Sequence, residues 1–104
     1  MVTVVNLRSS AFDVYIGRAG HGQDGRFGNP FVVGRDGVRG ECVEKFRAWF
    51  HGPSKQAYEM RVRAITEIPR DAKLGCFCKP NACHGDVIAE YVNSYHADAE
   101  SRLK

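Results

Sequence analysis

The residue types best suited to chemistry are three cysteines and a histidine within residues 76–84. Successive side chains of a strand point to opposite faces, so Cys76 and Cys78 would share one side. A turn after them would bring Cys83 and His84 back to within a few ångströms. Three thiolates and an imidazole could complete a tetrahedral zinc site, although this spacing is not a usual zinc pattern. An iron–sulfur cluster is the weaker alternative, because four thiolate ligands are the norm.

The same segment also allows a site without metal. Cys83 would lie near a helix N-terminus, where the helix dipole and a protonated His84 would stabilise its thiolate. His84 and Asp86 could then act as acid and base, which makes Cys83, His84 and Asp86 the candidate catalytic residues. The alternatives without chemistry are burial of the cysteines as small apolar side chains and a first-turn helical role for Asp86. Cys42 lies on an apolar helical stripe and is predicted to be a core residue.

A second candidate feature is a glycine-rich loop over residues 17–40, which holds eight of the eleven glycines. Long loops in compact domains are usually functional or disordered, and Phe27 and Phe31 could anchor this one. Glycines let backbone N–H groups turn toward an anion, and guanidinium groups bind phosphate bidentately. The predicted ligand-binding residues are Arg8, Arg18, Arg26, Asn29, Asn6 and Tyr15. The arginines predicted to be ordinary surface charges are Arg35, Arg39, Arg61, Arg63, Arg70 and Arg102.

These residues need a scaffold, and the apolar pattern predicts one α/β domain over residues 1–97 with a polar tail over 98–104. Apolar or alternating runs predict β-strands at 2–7, 12–16 and 73–78, with a further short strand at Val32 and Val33. Helical periodicity predicts helices at 41–51, 54–67 and 83–95. In the second helix, the residues expected to face inward are Tyr58, Val62 and Ile65. The expected fold is a small mixed sheet of three to four strands with three packed helices.

Sites in such sheets form beyond the carboxyl ends of strands and at helix N-termini. Residues 76–78 would lie at the end of a strand, and residues 83–86 at the start of a helix. Both parts of the Cys–His segment are therefore predicted to lie at one edge of the sheet.

Composition is typical of an intracellular globular protein. The chain has 104 residues and a net charge of +3, and no apolar run approaches the length of about 20 residues that spans a membrane. Residues 2–7 lack the basic flank and cleavage site of a signal peptide, so we predict a cytoplasmic protein with reduced thiols. The mild positive charge permits an anionic partner, but the basic residues are not clustered as in a nucleic-acid binder. A homodimer could stabilise a domain of this size.

Four motifs occur in order along the chain. They are Val5-Asn6-Leu7-Arg8, Tyr15-Ile16-Gly17-Arg18, Gly28-Asn29-Pro30-Phe31, and Cys76-x-Cys78 followed by Cys83-His84-Gly85-Asp86. Together, over about residues 4–93, they resemble an uncharacterised family of bacteria and their phages, domain of unknown function 4326. The resemblance implies that the four segments belong to one site, and it implies no activity. In a phage-encoded member this site would work in the host cytoplasm.

We predict that the loop and the Cys–His segment line one pocket for a small anionic ligand, with a nucleotide or nucleotide-derived metabolite as the best candidate. Arg8, Arg18 and Arg26 would hold its phosphate. If the protein is an enzyme, it would hydrolyse or transfer at a glycosidic or phosphoester bond, with Asp86 as nucleophile or general base. Two alternatives stay open: a module that sequesters a nucleotide signal without catalysis, and a zinc-stabilised domain that contacts protein or nucleic acid.

Overall fold

The computed structural model of the protein describes residues 1–20 and 22–103. His21 of the predicted loop and Lys104 of the predicted tail lie outside these residues. The strands are β1 (Thr3–Asn6), β2 (Val14–Tyr15) and β3 (Lys73–Cys76). The helices are α1 (Arg39–Phe50), α2 (Lys55–Glu67) and α3 (His84–Leu103). Along the chain the order is β1, β2, α1, α2, β3, α3.

Strand β3 is the centre of the sheet, with β1 on one side and β2 on the other, and both pairings are parallel. The predicted α/β class, with three strands and three helices, is confirmed, but the sheet is wholly parallel rather than mixed. The reason is that the connection over residues 7–13 crosses β3 instead of turning back beside β1. Phe12 of this connection lies against Gly75, where an added Cβ would come within 2.6 Å of the Phe12 ring. The strands therefore all end at the same edge.

Helix α3 packs against β1 and against both other helices, and one hydrophobic core fills the space between them. The Phe46 and Phe50 rings of α1 stack with centroids 5.5 Å apart inside this core. Ile16 and Leu74 of the sheet side are fully buried with them. Burying a side chain of this kind contributes about 1.5–3 kcal/mol relative to leaving it exposed. This core holds the carboxyl edge of the sheet against the starts of α1 and α3.

The predicted inward face of helix α2 is only partly right. Ile65 packs against the core as predicted, but Tyr58 and Val62 are 60% and 43% exposed. The buried residues of α2 are Ala57, Met60 and Ala64, whose spacing of three and four residues places them on one face of the helix.

Several predicted element bounds are wrong. β3 ends at Cys76 rather than at residue 78, so Cys78 lies after the strand and not within it. Val32 and Val33 lie in a turn rather than a strand, because the Asp36 carboxylate accepts the Val32 N–H at 2.8 Å and Gly34 has a positive φ of 95°. The polar segment after residue 97 is helical, since α3 continues to Leu103. Residues 96–103 contain no glycine or proline that would end a helix. In the described part of the chain, no helix is long and apolar enough to cross a membrane.

Candidate functional site

A cavity of about 330 Å³ opens at the carboxyl edge of the sheet. Its walls come from the glycine-rich loop, the start of α1, the end of β3 and the segment that leads into α3. Every cysteine of the chain lines this cavity, and each is a free thiol: Cys42, Cys76, Cys78 and Cys83. The parallel sheet explains the position, because the ends of β2 and β3 and the beginnings of two helices meet at this edge.

Many of the predicted site residues meet here, although they come from three separate parts of the chain. Those that line the cavity are Tyr15, Arg18, Asn29, Cys76, Cys78, Cys83 and His84. The predicted site residues that do not line it are Asn6, Arg8, Arg26 and Asp86. The glycine-rich loop and the Cys–His segment therefore line the same cavity. The four predicted site residues outside it make contacts elsewhere in the structure.

Arg26 is held by carboxylates away from the cavity. Its guanidinium lies 2.5 Å from Glu67 of α2 and 3.5 Å from Asp24. Both contacts are between exposed groups, so they position the loop rather than contribute much stability. A guanidinium that is already paired with two carboxylates is poorly placed to bind phosphate.

Asp86 lies in the first turn of α3 and faces away from the cavity. Its carboxylate is 2.6 Å from Lys79 Nζ and accepts the Cys83 N–H at 3.3 Å. The hydrogen bond that Lys79 donates to Asp86 raises the pKa of Lys79 above its ordinary value. A carboxylate near a helix N-terminus is stabilised by the exposed N–H groups there. These contacts give Asp86 a role in holding the turn before α3.

Asn6 and Arg8 lie just outside the cavity, after the end of β1. The Asn6 side chain accepts the Arg8 N–H at 2.9 Å and donates to the Lys79 carbonyl at 2.7 Å. The Arg8 guanidinium lies 5.2 Å from the centre of the Phe77 ring, a cation–π distance. Asn6 thus ties the chain after β1 to the chain after β3.

His84 is the buried polar residue at the floor of the cavity. Its Nε2 lies 2.8 Å from the Ile16 carbonyl and 2.9 Å from the Phe27 carbonyl. Because carbonyl oxygens only accept hydrogen bonds, Nε2 must carry the proton. In the neutral ring, Nδ1 then holds a lone pair, and this atom lies 3.7 Å from the Cys83 sulfur. The thiol of Cys83 is the donor available to it.

The surroundings of His84 favour the neutral ring. Burial lowers its pKa below the ordinary value, which outweighs the opposing effect of the two carbonyl contacts. The nearby positive charge of Arg18 lowers it further, and the Phe46 ring packs edge-on at 5.1 Å. These surroundings oppose a protonated His84 beside Cys83.

The Cys83 thiol is likewise held in its neutral form. Burial raises its pKa well above the ordinary value, and the adjacent Cys76 thiol raises it further. The Gly85 N–H donates to the Cys83 sulfur at 3.3 Å and opposes this effect without reversing it. The expected stabilisation of the thiolate by the helix start is thus overcome by the loss of water around the sulfur.

The structure does not support the predicted zinc or iron–sulfur site at Cys76, Cys78, Cys83 and His84. Within residues 1–20 and 22–103, no group of three or more His, Cys, Asp or Glu residues is arranged to hold a metal ion. His84 Nε2 contacts two backbone carbonyls and is not available as a metal ligand.

Asn29 and Tyr15 shape the wall of the cavity through backbone contacts. Asn29 accepts the Phe31 N–H at 2.9 Å and donates to the Cys42 carbonyl at 3.4 Å, which ties the loop to α1. The Tyr15 hydroxyl donates to the Arg18 carbonyl at 2.9 Å. Gly17 leaves room for that ring, since a Cβ there would lie 2.2 Å from the hydroxyl oxygen.

Arg39 and Phe77 also line the cavity, although neither is among the predicted site residues and the sequence predicts an ordinary surface charge at Arg39. The available signal for Arg39 was its position at the first residue of a helix that follows the glycine-rich loop. For Phe77 it was the position between Cys76 and Cys78. With Arg18, Arg39 gives the cavity two guanidinium groups, and no Asp or Glu lies among its described lining residues.

Comparison with known proteins assigns this chain to a family. Residues 4–94 match the family described as Domain of unknown function (DUF4326). An uncharacterized 12.4 kDa protein in the nrdA-td intergenic region of Enterobacteria phage T4 is 39% identical over 95 residues, covering 91% of this chain and 81% of the phage protein. No solved structure matches the chain. The match spans the strands and the cavity described above, and the chain belongs to the family of domain of unknown function 4326.

Proposed function

We propose that the protein binds a small anionic ligand, a nucleotide or nucleotide-derived metabolite, in the cavity at the carboxyl edge of the sheet. The observation that carries this proposal is the charge of the lining. Arg18 and Arg39 both line the cavity, and within the described residues neither forms an ion pair. With no carboxylate among the described lining residues, these guanidinium groups favour an anion.

The size and walls of the cavity support a ligand that is planar or apolar as well as anionic. Its volume of about 330 Å³ lies at the lower end of the range of about 300–1,000 Å³ for small-molecule sites, which suits a mononucleotide. The apolar parts of the lining include Phe31, Val33 and Val43. These side chains would contact a base while the arginines contact phosphate.

Binding without nucleophilic catalysis is the form of this proposal that the chemistry favours. The Cys83 thiol and the His84 imidazole are both held neutral by burial. Asp86, the predicted nucleophile or base, pairs with Lys79 and does not line the cavity. Neither Cys83 nor His84, the two predicted catalytic residues that line the cavity, is therefore favoured in its ionised form. Hydrolysis or transfer at a glycosidic or phosphoester bond stays a hypothesis for a product assay.

Calorimetric titration with AMP, GMP, CMP and UMP, and with the matching nucleosides, tests the proposal. We expect at least one nucleotide to bind about tenfold or more tightly than its nucleoside, since a charged hydrogen bond contributes about 1.5–3 kcal/mol. Arg39→Ala and Arg18→Ala should each weaken nucleotide binding by a similar factor. Arg102→Ala, an exposed arginine near the end of α3, is the matched control and should bind as the wild type does.

Two results would overturn the proposal: no binding of any nucleotide at millimolar concentration, or equal binding of nucleosides and nucleotides. Chromatography of the ligand after denaturing the complex separates the two forms of the proposal. Intact ligand supports a sequestering module, and a converted ligand shows an enzyme.

A further inference from the structure

Phe77 places an exposed aromatic ring at the mouth of the cavity. It lies between Cys76 and Cys78, both of which line the cavity, and it contributes to the lining itself. Yet 53% of its surface is exposed, an unusual position for a phenylalanine with no polar atom of its own. Part of the ring therefore faces the ligand space, and part faces solvent outside it.

The Arg8 guanidinium lies over one face of this ring, and the Arg8 backbone is fixed by a hydrogen bond to Asn6. Its guanidinium carbon is 5.2 Å from the ring centre. Its N–H is fixed by the Asn6 side chain, whose amide group also holds the Lys79 carbonyl at 2.7 Å. Asn6 thus fixes the segments that carry Arg8 and Phe77 relative to each other. Among the described residues Arg8 forms no ion pair, so its charge is available to a ligand.

An exposed aromatic ring beside an unpaired arginine, next to a cationic cavity, is the combination that stacks nucleobases along a single strand. A cavity of about 330 Å³ holds about one nucleotide unit. Any second unit of the same ligand would have to lie outside, at the mouth, where Phe77 and Arg8 are.

We propose that Phe77 and Arg8 form a second subsite that stacks the next base of a ligand with two linked nucleotide units, with Asn6 as the positioning residue. This inference rests on the proposed function of the cavity and adds the class of ligand. Two linked nucleotide units occur in a free dinucleotide and also at the end of a single-stranded nucleic acid. Either ligand would make the same contacts at the cavity and at the second subsite.

The test compares the affinities of wild-type protein for a deoxymononucleotide, the 5′-phosphorylated dinucleotide of the same base and a ten-nucleotide homopolymer. Base stacking on an aromatic side chain predicts about tenfold or tighter binding of the dinucleotide than of the mononucleotide. Phe77→Leu keeps an apolar side chain but removes the aromatic face, so this ratio should fall toward one. Arg8→Ala should also lower the ratio, and Phe77→Trp should preserve it.

Tyr58→Ala is the matched control. Tyr58 is an exposed aromatic residue of α2 with the Arg61 guanidinium 5.9 Å from its ring, and it does not line the cavity. Removing it should leave the ratio unchanged. Equal affinity for mononucleotide and dinucleotide in the wild type, or an unchanged ratio in Phe77→Leu, would refute the second subsite while leaving the proposed function intact. Absence of binding by all three ligands, with each of the four bases in turn, would refute both.

The ten-nucleotide arm identifies the source of the ligand. A ten-nucleotide strand presents several overlapping dinucleotide registers, so a gain of up to about tenfold is expected even when nothing beyond two units is contacted, and it indicates a free dinucleotide. A gain of about a hundredfold or more, which falls steeply with salt, indicates a nucleic-acid strand that continues across the surface.

Discussion

His84 shows how one side chain can hold the site together. It belongs to the first turn of α3, and its Nε2 contacts the Ile16 carbonyl after β2 and the Phe27 carbonyl of the glycine-rich loop. The loop therefore gains a fixed attachment that its glycines could not provide. The protonation state of His84 also affects stability, because a charged ring at this buried position would lose the water that stabilises it.

The stability of the protein should consequently fall in mild acid. In the unfolded chain His84 titrates near its ordinary pKa of 6.5, and burial holds the pKa of the folded protein below that value. Between the two values the unfolded chain binds more protons, so the free energy of unfolding decreases as the pH falls below about 6.5. Above pH 6.5 this contribution is fully present. Urea denaturation at pH 7.5, 6.5 and 5.5 measures the effect.

His84→Gln is the control for that titration. Its amide group can donate to both carbonyls but does not titrate, so the loss of stability between pH 6.5 and 5.5 should be smaller than in the wild type. The same loss in both proteins would show that other groups cause it.

At the scale of elements, the contact between β3 and the connection over residues 7–13 explains the parallel sheet. The connection crosses β3 closely only because Gly75 has no side chain, and the Phe12 ring occupies that space. This crossing brings the end of β2 to the same edge as the ends of β1 and β3. The cavity therefore depends on a glycine that lies outside the loop in which most glycines are found.

Gly75→Ala should destabilise the protein by about 1–3 kcal/mol, the usual cost of overpacking a core. The new methyl group would lie 2.6 Å from Cγ and 3.0 Å from Cβ of Phe12, so the crossing segment would have to move. Chemical denaturation measures the change, and Phe12→Ala in the same chain should recover part of it. Gly40→Ala is the matched control, because no atom lies within 4 Å of its added Cβ. Equal stabilities for the two alanine variants would contradict this account.

At the scale of the whole molecule, the cavity gathers cysteines from distant parts of the chain but exposes them unequally. Cys42, Cys76 and Cys83 are buried, and Cys78 is partly accessible. Buried thiols react with a disulfide reagent only when the structure opens, so their reactivity reports the stability of the fold around the cavity.

We expect one thiol of the native protein to react rapidly with an aromatic disulfide reagent, and all four to react after unfolding in guanidinium. Cys78→Ala should remove the rapid phase, and a bound nucleotide should slow it in the wild type. Rapid reaction of two or more thiols in the native protein would show that the cavity opens more readily than the packing indicates.

Local sequence patterns determined much of the scaffold. The apolar stripe of α1, the existence of β3 and the start of α3 could be predicted, because the spacing of apolar residues shows which side chains share a face. The closeness of Cys76, Cys78, Cys83 and His84 along the chain also predicted that they meet at one site, although Cys78 lies after the end of β3 rather than within the strand. These features depend on neighbours within a few residues, which a sequence displays directly.

Only the tertiary structure decided which groups are buried, paired or charged. The arginines illustrate this: Arg26 is paired with Glu67, 41 residues away, while Arg39 lines the cavity. The neutral state of His84 comes from burial under Phe46 and the loop. The exposure of Tyr58 depends on which face of α2 packs against the core. Whether a side chain is shielded from water or paired with an opposite charge depends on contacts between distant segments. These contacts cannot be deduced from the spacing of residues along the chain.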